Sequence, residues 1–418
     1  MSGTKLSQAI EHGLATKDLR KALAAFERIV TVEDAHALLA ALPRFPAFDD
    51  SCIGTPLGVV ASLYQSTEDS AVLDVLGEGF PIVHDLYDRA LAEVRARVDD
   101  AKARCASDLV FMLKIYALYA SQGGMERVIA AARDRQLETE YLWAVVFDIY
   151  ASEGHPLGSE VVDALRSSLP RGFAGIAFLD ACNRMVRENR LDEHPFASIE
   201  GLAHLEGCLR DPDEAHFSYA QSATAALPFL AEDARERLLA VAMAHPDRGV
   251  RLEAAWADAR SGGNRGLDFL AEACLAPHSS AVACGYLSEL GREDVIPDAA
   301  RDPDFEAQAT ISRWLQHPSE LGEVPDQLEL YDTRVLDWPP TNDRRRVWLF
   351  SWAKGDDRGL AMVGSITFAL FGEATADLSP EDAYALHCCW ELSMNGDARA
   401  PKERSIAAGR KLLGLDPS

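Results

Sequence analysis

The 418-residue chain lacks the local patterns that announce most chemistry. None of its eight cysteines, at 52, 105, 182, 208, 274, 284, 388 and 389, forms a Cys-x-x-Cys pair, and no Cys/His spacing matches a zinc site. His387, Cys388 and Cys389 are consecutive, and on a helix neighbours diverge by about 100°, so they cannot converge on one ion. Glycine-rich phosphate loops, Gly-x-Ser-x-Gly and His-Glu-x-x-His are all missing. The expectation is buried free thiols, no metal, no cofactor and no catalytic residue set. No run of 18 apolar residues exists and the first residues lack the apolar stretch of a signal peptide, so a cytoplasmic chain without membrane contact is expected. Basic residues are also short: 41 Lys and Arg face 66 Asp and Glu, a net charge of −25. That excess repels phosphate backbones and argues against nucleic acid. It favours solubility, or a basic partner. Acidic pairs such as Asp49-Asp50, Asp99-Asp100 and Asp356-Asp357 read as solvated surface.

What is present is helical. Apolar residues make up 48% and charged residues 26%, ordinary values for a folded soluble protein. Leu19, Leu23, Phe26 and Ile29 recur at helical spacing, as do Ala35, Leu38, Leu39 and Leu42. Thr31 heads a capping box, and Pro81 suits the first turn of a long helix reaching about residue 103. Further helices are expected over 109–120, 125–132, 141–150, 161–169 and 176–186. Short connections between them imply antiparallel neighbours. Residues 1–55 read as an N-terminal helical cap and 56–318 as helical repeats.

The repeats are clearest over 210–318. Prolines 212, 246, 277 and 303 recur in similar phrases at steps near 30 residues, each ahead of a helical stretch. Eight places on stand Ala220, Ala254, Gly285 and Ile311. The fullest phrase runs from His245 to Gly262, with Gly262-Gly263 ending the helix and Arg260 in its last turn. A period of this size points to stacked helical pairs. Asp247, Val250, Arg251 and Ala254 match the phrase of the HEAT-repeat family, and the chain resembles its short bacterial, phycobilin-lyase-type members. The other three phrases carry Phe217, Val282 and Gln308 where Arg251 stands. The resemblance implies a HEAT-like α-solenoid of antiparallel helical pairs, and a buried Asp–Arg ladder that these departures would break. HEAT-repeat hydroxylases hold iron with His-Glu dipeptides, which this chain lacks.

Beyond Pro318 the period changes. Stretches 328–335, 345–352 and 360–371 alternate and are rich in Val, Ile, Phe, Tyr and Trp, as strands are. Arg346, Trp348, Phe350 and Trp352 should share one face; Leu360, Met362, Ile366, Phe368 and Leu370 should share another. A turn over 354–359, with glycines at both ends of its core, joins the second and third. Ser379-Pro380 opens a helix, and a last helix runs from about 401 to 413. Residues 322–418 therefore read as a small α+β domain docked on the end of the solenoid. Its loop from Trp338 to Arg346 holds the chain's most basic cluster, and three of seven tryptophans lie within 338–352. Trp338, Arg344, Arg345 and Arg346 are thus the expected partner-binding residues. Histidines 155, 204, 216 and 245 are expected to cap helices or lie on the surface. The expected role is a non-enzymatic binding module or scaffold for a protein or peptide. The alternatives are an enzyme with a lyase-like ligand-handling site beside the C-terminal domain, and an acidic, immunity-like neutraliser of a basic protein.

Overall fold

The computed structural model of the chain describes residues 4–48, 54–96, 101–366, 368–371, 373–402 and 405–415. Cys52 and the pairs Asp49-Asp50 and Asp99-Asp100 lie outside them. The fold is mainly helical, with a four-stranded antiparallel sheet near the C-terminus. Two compact units divide it, Met1–Val250 and Arg251–Ser418, so the division falls inside a helix and well ahead of the change in period at Pro318.

The first unit opens with α1 (Lys5–Thr16), α2 (Leu19–Leu23) and α3 (Val32–Ala41). Then follow α4 (Pro56–Gln65), α5 (Ser70–Glu78), α6 (Phe80–Ala96), α7 (Ala101–Leu118), α8 (Gln122–Ala131) and α9 (Trp143–Tyr150). The series continues through α10 (Gly158–Arg166), α11 (Gly172–Arg187), α12 (Ile199–Arg210), α13 (Phe217–Ala225) and α14 (Glu232–Met243). α2 stops at Leu23, short of the expected run: Ala24 and Ala25 form a turn that the Phe26 N–H closes on the Leu23 carbonyl at 2.9 Å. α4, α7, α9, α11 and α13 pack successively against one another. α6, α8 and α10 form a second succession, as do α12 and α14. Leu113, Tyr116, Trp143, Phe147 and Phe178 are fully buried in this packing. Each such side chain contributes roughly 1.5–3 kcal/mol by leaving water.

Hydroxyl caps start several helices. Thr4, Thr31, Ser121 and Ser198 accept from the N–H three residues on. A rarer device recurs beside them. His155, His194, His245 and His317 each precede a proline, and in each Nδ1 accepts the backbone N–H two residues on at 3.1–3.2 Å. That bond needs a neutral ring with a bare Nδ1. The capping expectation for His155 and His245 thus holds. His216 instead meets Asp211 Oδ2 at 2.9 Å.

Arginines bridge segments of the first unit that are far apart in sequence. Arg127 bonds Asp88, 39 residues back; Arg95 Nη2 meets Asp134 Oδ2 at 2.8 Å, 39 residues on; Arg184 reaches Asp148 Oδ1 at 2.5 Å, 36 residues back. Arg133 donates to the carbonyls of Ala164 and Ser168, and Arg190 to that of Ala151. Asp247 Oδ1 accepts the Val250 N–H at 2.8 Å and so caps α15 (Arg248–Arg260), the helix in which the division of the chain falls; it also accepts from Gln221 Nε2 at 3.5 Å.

In the second unit α15 leads to α16 (Leu267–Cys274), α17 (Pro277–Glu289) and α18 (Pro303–Leu315). Ala254 is wholly buried, as its place in the phrase requires. Ala255 gives close approach: a Cβ on Gly266 would sit 2.4 Å from its Cα. Pro277 and Pro303 stand in first turns, where the missing N–H costs nothing. Of the residues eight places past the four prolines, Ala220, Ala254 and Ile311 are buried; Gly285 is exposed.

The strands are β1 (Gln327–Trp338), β2 (Asp343–Lys354), β3 (Asp357–Val363) and β4 (Phe368–Phe371), in sheet order 1-2-3-4. Among the described residues no strand precedes them. β1 and β2 are longer than expected, and what read as a loop over 338–346 is a hairpin with a tight turn at 339–342. β2 and β3 turn through Gly355 and Asp356 alone; Gly355 has φ 55°, while Gly359 is an ordinary strand residue paired with Trp352. α19 (Glu373–Ala376), α20 (Pro380–Met394) and α21 (Ile406–Leu413) follow. Period-2 alternation then decides the packing. Leu336, Trp338, Val347, Leu349, Leu360 and Met362 face α20. Phe350, Trp352 and Ala361 face the other way, against Ala307, Ile311 and Leu315 of α18. The sheet is docked on the last repeat-like helix, as its apolar faces demand. The side chains of Phe368 and Leu370, expected to join Leu360 and Met362, lie outside the description.

Candidate functional site

The β1–β2 hairpin does not present its residues as the sequence suggests. Trp338 is 1% exposed, and its indole N–H donates to Glu391 Oε2 at 2.7 Å, inside the core beneath α20. It is a structural residue and not a surface anchor, because β1 extends through it and turns it inward. Arg345 follows the same face and is partly covered. It grips Asp343 at 2.7 and 2.5 Å and donates to the Gly364 carbonyl. This pairing holds the Asp343 carboxyl down at about 2. Arg344 and Arg346 are exposed on the opposite face, Arg346 lying 6.0 Å from the Trp348 ring. Trp348 itself is tied to α18 through Asp304 Oδ1 at 2.7 Å. The hairpin thus brings Arg344 and Arg346 together and removes Trp338 and Arg345 from that surface. Of the repeat residues, Asp247 caps, Val250 and Ala254 are buried, and Arg251 is half-buried.

A better-formed surface lies in the first unit. Between α9 and α11 runs a groove of about 490 Å³. Its apolar lining is Ala144 and Val145 of α9 with Ala177 and Ala181 of α11. Small residues on facing helices leave this space, because no side chain is long enough to fill it. The charged lining is Asp148, Asp180 and Arg184. Arg184 is committed to Asp148, with Nη1 at 2.5 Å from Oδ1 and Nη2 at 2.7 Å from the carbonyl. Among the described residues no cation pairs with Asp180. Its carboxylate is open to solvent, yet α9 and α13 crowd it enough that burial pushes its carboxyl above the usual range, against the pull of the Ser222 hydroxyl.

Aromatic rings edge one end of the groove. Tyr141, just ahead of α9, is 80% exposed and meets Phe173 edge-on at 5.0 Å. Phe173 lies 6.4 Å from Tyr219, which stacks on His216 at 4.9 Å. The row crosses α9, α11 and α13 at their N-terminal ends. Further along α11 a hydrogen-bonded chain ties it to α13. Asn183 Nδ2 donates to the Ser222 carbonyl, and His194 Nε2 lies 2.9 Å from Asn183 Oδ1. Burial, with Arg166 nearby, pushes His194 down to about 4, so it stays neutral.

Sequence reading missed this site. Its aromatics, at positions 141, 173 and 219, lie at the starts of three separate helices, and only the packing of α9, α11 and α13 makes them neighbours. The signal that could have found them is their common place near helix starts. Two further grooves, of about 460 and 490 Å³, lie along α12, beside His204 and beside His245. Among the described residues no group of three or more His, Cys, Asp or Glu could hold a metal ion, and no helix is long and apolar enough to cross a membrane. Comparison with protein-family models, with curated proteins and with solved structures finds no match for this chain.

Proposed function

We propose that the chain is a non-enzymatic protein-binding module, a HEAT-like α-solenoid of stacked helical pairs carrying a small C-terminal α+β domain. The successive packing of α4, α7, α9, α11 and α13, and arginine ties reaching one helical pair along the chain, support the solenoid reading. The observation that carries the function is the row Tyr141–Phe173–Tyr219 beside an open groove. Tyr141 is 80% exposed, while Phe173 and Tyr219 are half-buried and hold it in place; a supported, exposed ring of this kind is the anchor that interfaces use. The groove offers an ion-paired Arg184 and, in Asp180, a carboxylate that no cation among the described residues pairs with, a set suited to holding a ligand.

The working surface is the α9–α11–α13 face, with Arg344 and Arg346 on the hairpin as a second, smaller contact. The net charge of −25 also supports the neutralising reading, in which the partner is a basic protein. The test is a photo-reactive phenylalanine analogue placed at Val145, which is 39% exposed, and as a control at Val30, which is 58% exposed. In native lysate a discrete adduct should form from position 145 and not from position 30. Equal labelling from both positions would refute the site.

A further inference from the structure

Resting on that reading of the groove, we propose that its occupant is an extended segment of a basic protein. An arginine or lysine enters beside Asp180, and a large apolar or aromatic residue about three positions away packs on the rim. The groove floor is alanine, from Ala144, Ala177 and Ala181, which suits the methylene stem of a long cationic side chain. At the end of that stem stands Asp180, the charged lining group that no cation of the chain pairs with among the described residues. Arg184 is held by Asp148 and so does not fold over to neutralise it.

The spacing follows from the helix. Phe173 and Asp180 are seven residues apart on α11, about 10 Å along its axis. An extended chain advances roughly 3.3 Å per residue, so three residues span the distance. The volume of about 490 Å³ exceeds what one side chain fills and falls within the range of short ligands. The rim adds ring faces that attract a cation or stack with an aromatic. The charge of the whole chain draws such a segment in.

The test is selection of displayed random ten-residue peptides on the full-length protein. Winners should carry Arg or Lys with a large apolar residue three positions away. Replacing that arginine with citrulline, its uncharged analogue, should weaken binding at least tenfold. Asp180→Asn should do the same with thermal stability unchanged, and Tyr141→Ala should weaken binding severalfold. Added salt should weaken binding to the wild type and much less to Asp180→Asn. Winners without basic residues, no winners at all, or equal binding to Asp180→Asn would overturn the inference. The photo-reactive group at position 145 separates the two claims. Peptides that cross-link there without needing the cation leave the groove standing and sink the inference. Basic peptides that bind but do not cross-link there remove the groove itself.

Discussion

Gly58 and Asp108 form a lock whose energetics can be worked from distances. Gly58 is buried within α4, and a Cβ built on it would lie 2.1 Å from Asp108 Oδ1 and 2.7 Å from Cγ. The carboxylate cannot retreat without loss, because Oδ2 holds the Thr55 N–H at 2.9 Å, the Thr55 hydroxyl at 3.1 Å and Arg20 Nη1 at 3.0 Å. Burial pushes the Asp108 carboxyl up, while Thr55 and Arg20 pull it down. Gly58→Ala must therefore overpack the site or break bonds to a charged group, a cost of about 2–4 kcal/mol. Asp108→Ala leaves buried Thr55 without this acceptor and costs about 2–5 kcal/mol. In that background Gly58→Ala meets no carboxylate and gains helix propensity, about 1 kcal/mol of stabilisation. The two changes should thus be strongly non-additive, with a coupling of about 3–5 kcal/mol. A chain of two compact units need not unfold in one step, so hydrogen exchange of segments covering α4 and α7 is the readout. Additivity within about 0.5 kcal/mol would refute the lock.

Other outcomes follow from the same kind of argument. His194 is held neutral with its pKa lowered to about 4, so the unfolded chain binds its proton first; stability should be full above about pH 6.5 and fall by about 3 kcal/mol towards pH 4. In urea titrations across that range, His194→Gln should flatten the acid limb, and an unchanged limb would remove His194 as the cause. Ala254→Leu should destabilise by about 1–3 kcal/mol through overpacking, checked by urea unfolding of the second unit. Gly263→Ala should also destabilise, because its Cβ would meet the Asp258 carboxylate at 2.4 Å, where that group holds Arg265. Replacing exposed Arg344 and Arg346 with alanine should change thermal stability little, within about 0.5 kcal/mol each. A collapse of the fold would show that the hairpin needs them.

Much of the fold was legible because its signals are local. Period 3.6 before Pro318 and period 2 after it predicted helices and then strands, and Thr31, Pro81, Ser379 and Pro380 marked helix starts. The phrase at 245–262 correctly placed Asp247 in a turn and Ala254 in the core. The hairpin failed because Pro339 and Pro340 read as a loop, although they sit only in the turn. Strand extension by a few residues then reversed the fate of Trp338. The groove was illegible for a different reason. Its residues are conventional helix-surface types, and nothing in Asp180 alone distinguishes it from the many solvated acids. Only the crowding supplied by α9 and α13 makes it singular.

The described thiols give the molecule a built-in record of its own opening. Cys105 and Cys182 are buried in the first unit, and Cys274, Cys388 and Cys389 in the second. Burial raises the proton affinity of Cys182, and it pushes Cys274 and Cys388 up to about 12, so little reactive thiolate exists at neutral pH. Alkylation must wait for local unfolding. The order in which these sulfurs are modified, read by peptide mass, reports which unit loosens first. It needs no engineered residue.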